Sequence, residues 1–130
     1  MDHPITVAVP AQTGSLGVLR AVVASVGARL DFAVEDIEDL RLAVDEACGH
    51  LLAMRPPPTV IHLRLSLSGR RIEAVAWADA PVAGWPPPDP SGSITWQVLS
   101  ALTEDAAMGT EDGAPAIRFA KGSLYEGSAG

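Results

Sequence analysis

Proline placement constrains this chain more than any other feature, because a proline ring removes a backbone donor and is excluded from helix interiors and central strands. Pro56, Pro57 and Pro58 follow one another, and Pro81, Pro86, Pro87, Pro88 and Pro90 crowd a second stretch that also holds Gly84 and Gly92. Residues from Ala80 to Ser93 therefore read as loop. Regular structure is expected before the first break, between the two, and after the second.

Before the first break, Ile5, Val7 and Val9 alternate with Thr6 and Ala8, a short strand that Pro10 ends. Leu16, Leu19, Val23, Val26 and Leu30 then recur at three and four residues, which predicts a helix from Ser15 to Leu30 with Thr13 or Ser15 capping its N-terminus. A second helix follows, from about Val34 to Met54. Its apolar residues Ile37, Leu40, Val44, Ala47, Leu51 and Met54 keep one face at 3.6 residues per turn, and Glu35, Asp36, Glu38 and Asp39 crowd its first turns, where the helix dipole favours acids. Asp39, Glu46 and His50 lie one stripe over from the apolar face, where carboxylate and imidazole can look into a cleft.

Between the breaks, Ile61, Leu63, Leu65 and Leu67 alternate with His62, Arg64 and Ser66, a strand with one buried and one wet face. Ser68-Gly69-Arg70 turns it into a second strand, roughly Ile72 to Ala78. After the second break, Ile94, Val98, Leu99 and Leu102 predict a helix from about Ser93 to Leu102, and Ala106 to Met108 and Ala116 to Ala120 read as closing strands around Glu111-Asp112-Gly113. The order strand, helix, helix, strand, strand, helix, strand, strand predicts an α+β fold, a two-layer sandwich with helices on one face of a mostly antiparallel sheet. Residues 1–121 are expected to form a single domain and residues 122–130 a flexible tail.

Nine basic against sixteen acidic residues give a net charge of −7, which disfavours phosphate backbones and anionic membranes and favours a basic protein partner. The single Cys48 cannot form an internal disulfide, which fits a reducing compartment. Met1-Asp2-His3-Pro4 lacks a basic cluster with an apolar core behind it, and no apolar run approaches the ~18 residues of a membrane span. A cytoplasmic location is expected. Cys48 reads as a small core residue, His62 as a surface residue, Trp77 and Trp96 as core, and Trp85 as an exposed contact.

The run Leu40-Arg41-Leu42-Ala43-Val44-Asp45-Glu46-Ala47-Cys48-Gly49-His50 resembles the ATP-binding helix of the anti-sigma-factor serine kinases of the RsbW and SpoIIAB type, within the GHKL ATPase superfamily. Their pattern is Leu-x-x-Ala/Val-Val-x-Glu-Ala-x-x-Asn, and it is kept up to the last residue. The resemblance spans about Ile5 to Lys121, and it implies the same α+β fold, a homodimer, and a sigma factor and an anti-anti-sigma factor as partners. It places Glu46 at the catalytic base, His50 where the family has its magnesium-ligating Asn, and Asp79 at the adenine-reading Asp. Imidazole is a poor ligand for magnesium, which prefers hard oxygen. The glycines expected after Asp79 are replaced in Asp79-Ala80-Pro81-Val82-Ala83-Gly84, and the phosphate-binding pattern is reduced to Gly92 in Gly92-Ser93-Ile94-Thr95-Trp96. Arg20 aligns with an arginine by which such proteins contact their sigma factor, and an arginine fork can hold a carboxylate in two parallel bonds.

The expectation is an anti-sigma factor that sequesters a sigma factor, with Glu46, Asp79 and Gly92 as remnants of an eroded ATP site, no metal site and no cofactor beyond weak ATP and magnesium. The competing expectation is an active serine kinase that phosphorylates the antagonist. A third is a scaffold of the same fold with a role outside transcription. For Glu46 and Asp79 the plain alternative is a solvated carboxylate, for His50 a half-buried structural imidazole, and for Arg20 a solvated helix residue.

Overall fold

The computed structural model describes residues 4–123. Strand β1 (Ile5–Pro10) leads through a 3-10 turn at Thr13–Ser15 into helix α1 (Leu16–Arg29) and helix α2 (Val34–Leu52). Strands β2 (Val60–Ser68) and β3 (Arg71–Ala78) form a hairpin. A second 3-10 turn at Pro90–Gly92 precedes helix α3 (Ile94–Leu102), and strands β4 (Glu104–Glu111) and β5 (Ala114–Gly122) close the fold. The proline breaks fall between α2 and β2 and between β3 and α3, where their missing donors disturb no ladder.

All strand pairs are antiparallel, in the order β1-β2-β3-β5-β4. Ile61, Leu63 and Leu65 of β2 are opposed by Ala78, Ala76 and Ala74 of β3, so large residues on one strand meet small ones on the next. Ile117 and Phe119 of β5 continue the inward row. Helices cover this face alone. α2 lies centrally, flanked by α1 and α3, and Leu40, Val44, Ala47 and Leu51 are fully buried beneath it. The α+β sandwich and the phase of the second helix are as the periodicity predicts.

Some local expectations need correction. Ser15 stands at the N-cap of α1, yet its side chain makes no capping hydrogen bond, and the 3-10 turn feeds the helix instead. Ile37 and Met54 are half-buried at the ends of the apolar stripe. A Cβ on Gly27 would come within 3.1 Å of Ile37 Cγ1, so α1 and α2 meet there at glycine distance. β4 and β5 are longer than the apolar clusters that marked them, because β4 is an edge strand that carries Glu104 and Thr110 in its ladder, with Asp105 in the register shift between Glu104 and Ala107. Gly122 still pairs with Arg71 and the Ser123 N–H donates to Arg70 O at 2.9 Å; the rest of the expected tail lies outside the described residues. No helix of the described residues is long and apolar enough to cross a membrane.

Candidate functional site

The polar stripe of α2 meets α3 at one side chain that the sequence reading passed over. Thr95 occupies the second position of α3, four residues before the buried Leu99, and is itself buried. Its hydroxyl donates to Glu46 Oε1 at 3.1 Å, and His50 Nδ1 lies 3.0 Å from the Thr95 Oγ1 itself. A hydroxyl has one proton, and here it points to the carboxylate, so Nδ1 is the donor to Thr95 and Nε2 keeps the lone pair. Glu46 and His50, one helical turn apart on α2, are thereby coupled through α3. The signal that could have revealed Thr95 is a polar residue on the stripe of α3 that faces inward with Leu99.

The α3 end of this arrangement is fixed by its cap. Ser93 accepts from the Trp96 N–H at 3.0 Å, satisfying one of the free donors of the first turn. Gly92 precedes that cap in the short 3-10 turn, and a Cβ there would meet nothing within 4 Å, so local packing does not require glycine.

Trp85 is not the exposed contact that its proline-rich surroundings suggest. It is half-buried against the core, its indole N–H donates to Gly109 O on β4 at 2.6 Å, and its ring lies tilted on the His50 imidazole with centroids 5.6 Å apart. The loop from Asp79 to Ser93 is thus tied down over the Glu46–Thr95–His50 cluster. Burial pushes the His50 pKa below its ordinary value, and the neighbouring Glu46 opposes the shift.

Asp79 sits at the end of β3, away from this cluster in its bonding. Its carboxylate accepts from the Thr59 hydroxyl, from Val60 N at 2.9 Å and from Thr59 N at 2.8 Å. These bonds, the Thr59 hydroxyl first, hold its pKa at about 2. Both carboxylate oxygens are engaged in fixing the start of β2. Asp39, the other acid of the α2 stripe, is paired with Lys121 at 2.9 Å, and the same ammonium donates to Leu102 O at the end of α3. Cys48 is buried and its thiol is pushed up to about 12, mainly by burial and then by Asp45, which makes it an inert core residue.

Arg20 lies on the opposite flank of α2. It pairs with Asp45 at 2.5 Å, across the α1–α2 interface, with about a third of each side chain exposed. Leu42, three residues before Asp45 on α2, is half exposed. The structure brings Glu46 and His50 together, and it leaves Asp79, Gly92 and Arg20 each in separate bonding environments.

Among the described residues, no helix lies on the outer face of the sheet. His62 stacks on Trp77 with centroids 4.8 Å apart and planes within 5°, and the Arg64 guanidinium lies 5.2 Å from the Trp77 ring centroid. Trp77 is therefore not core, since it alternates out of phase with Ala76 and Ala78. Arg64 and Arg118 both bond Glu111, and these bonds, that from Arg64 first, hold its carboxyl below the usual range. A cavity of about 330 Å³ opens on this face beside Arg64, Arg71 and Arg118. Each of these arginines is already paired with acids.

No protein-family model matches the chain. It is 37% identical over 97 residues, 75% of its length, to the anti-sigma-F factor RsbW of Mycobacterium tuberculosis, in strain H37Rv and equally in strain CDC 1551, and that match covers 56% of the relative. It is 40% identical over 48 residues to the serine-protein kinase RsbW of Halalkalibacterium halodurans, covering 37% of this chain and 30% of the relative. The chain spans about half the length of the mycobacterial relatives it matches.

Proposed function

We propose that this chain, 37% identical over three quarters of its length to an RsbW anti-sigma factor, is itself an anti-sigma factor that sequesters a sigma factor, and that its nucleotide site no longer serves phosphoryl transfer. The observation that carries the second part is the bonding of the Glu46 carboxylate and His50 to Thr95 beneath Trp85. A base for a partner's serine needs a carboxylate that can reach the incoming hydroxyl, and a magnesium ion needs hard oxygen ligands in octahedral array. Here the imidazole stands at the metal position with Nδ1 given to Thr95, and Asp79 directs both oxygens to Thr59 and Val60. These residues do not fit magnesium and ATP.

Sequestration needs only a surface. The exposed side of α1 and α2, with Arg20, Asp45 and the half-exposed Leu42, offers paired charge around an apolar contact, the composition of an interface anchor. An anti-anti-sigma factor would compete for an overlapping face. The homodimer belongs to the same proposal, supported by the uncovered sheet face with its Trp77–His62 stack. So do the single domain over residues 1–121 and a cytoplasmic location.

The second reading is the active serine kinase, favoured by the retention of Glu46 in the run Val44-Asp45-Glu46-Ala47. Incubation with labelled ATP, magnesium, the sigma factor and the antagonist separates the two. The expected result is sigma binding that is the same with and without nucleotide, and no label on the antagonist. Label transfer that Glu46→Ala abolishes would replace sequestration alone with the kinase.

A further inference from the structure

Eight of the nine basic side chains are engaged. Arg20, Arg41, Arg64, Arg71, Arg118 and Lys121 pair with carboxylates, and Arg55 and Arg70 donate to backbone carbonyls. Of the nine basic side chains, Arg29 alone makes neither an ion pair nor a side-chain hydrogen bond among the described residues. Its place in the last turn of α1 suits the helix dipole, which leaves the guanidinium itself in water.

That cation stands at the rim of an apolar pocket of about 150 Å³, lined by Ile5, Val26, Leu30 and Leu67. Three helix or strand ends converge there: the start of β1, the end of β2 and the last turn of α1. Ile5, Leu30 and Leu67 pack against the core on one side and remain half-buried on the other. A volume of this size matches one benzene-sized group, and so one leucine, methionine or phenylalanine side chain. Arg70 donates to Leu30 O at 3.1 Å on the same corner, adding a second positive group. In a chain of net charge −7, an arginine with no ion pair among the described residues, beside an apolar pocket, is the electrostatic exception.

We propose that this pocket is a docking site for a protein partner's peptide segment, which inserts one leucine-sized or phenylalanine-sized side chain and places an aspartate or glutamate, one or two residues away, on Arg29. The apolar anchor supplies burial and the bidentate pair fixes register, the combination that characterises interface hot spots. The site does not depend on the sigma-factor reading. Arg29 lies nine residues beyond Arg20 on α1, about 13 Å along the helix axis at 1.5 Å per residue, so the two contacts can be lost independently.

The test is selection of a phage-displayed random peptide library on the full chain, with binding of the synthesised winners measured by fluorescence anisotropy. The expected winners carry Leu, Met or Phe next to, or one residue from, Asp or Glu. Arg29→Glu should weaken them about tenfold, the scale of one lost charged contact, and replacing the peptide's acid by Lys should restore binding to that variant. Ile5→Trp, which fills the pocket, should also block binding, and matched melting curves keep loss of fold apart from loss of site. Winners without this pattern, or winners indifferent to both variants, overturn the proposal. Binding seen only when residues 1–3 are deleted would assign the pocket to the chain's own N-terminus, and a dimer that Arg29→Glu dissociates would assign it to a second copy; either result overturns it.

Discussion

Thr95 and His50 stand 45 residues apart in sequence and 3.0 Å apart in space, with the Thr95 hydroxyl proton directed to Glu46. This fixes the imidazole in the Nδ1–H form. Thr95→Val removes the acceptor, and the ring should revert to the Nε2–H form, read from the nitrogen shifts of His50 by NMR. Thermal stability should fall by about 1 kcal/mol, the net worth of a buried hydrogen bond. An unchanged tautomer would mean that Thr95 does not orient the ring.

His50 also sets a pH dependence. Its folded-state pKa lies below the ordinary 6.5, through burial opposed by Glu46, so as pH falls below that value the unfolded chain takes up the proton first. Stability contributed by the neutral ring is complete above 6.5 and declines as pH falls toward the folded-state pKa. His50→Asn should flatten the slope of melting temperature between roughly pH 7 and 5.

Arg20→Glu should weaken sigma-factor binding by on the order of 2 kcal/mol, while breaking the exposed pair with Asp45 costs about 0–1 kcal/mol of stability. Asp45→Asn releases the guanidinium and should leave binding equal or tighter. Calorimetric titration of both variants checks this, and weakened binding by Asp45→Asn alone would make the carboxylate, not the arginine, the contact.

Asp79 gives a sharper acid signature. With its folded-state pKa held at about 2 against an ordinary 3.8, the stability from its bonds to Thr59 and Val60 is present above about pH 4 and disappears as pH falls through 2. Asp79→Asn should melt lower than the parent at pH 7, and the two curves should converge below pH 2.

Gly49 lies inside α2, and a Cβ there would meet nothing within 4 Å. Gly49→Ala should therefore raise stability by roughly 0.5–1 kcal/mol through helix propensity alone. A lower midpoint in urea would reveal a contact at this position.

Most of the fold was legible because its signals are periodic and local. The three/four spacing from Leu40 to Leu51 and the strict alternation from Ile61 to Leu67 each allow one orientation against a core. The ends were less so. β4 reads as polar because its edge position relaxes the demand for apolar residues, and Trp77 reads as core only if size outweighs alternation. For the site, Glu46 and His50 were visible as a stripe beside the buried face. Thr95 and Trp85 were not, since they reach that stripe by tertiary folding from segments 35 to 49 residues away, and no spacing within α2 encodes where α3 or the proline loop will lie.

The two margins of the sheet are guarded differently. β1 ends in Pro10, which has no donor to offer an incoming strand, and β4 opens on Glu104 and Asp105, with Asp105 at φ 55 and a register shift before Ala107. Acids, a kink and a missing N–H are the devices that prevent strand-on-strand growth. Strand addition is therefore disfavoured where β4 opens and at the Pro10 end of β1, so that contact between copies is favoured through faces over edges.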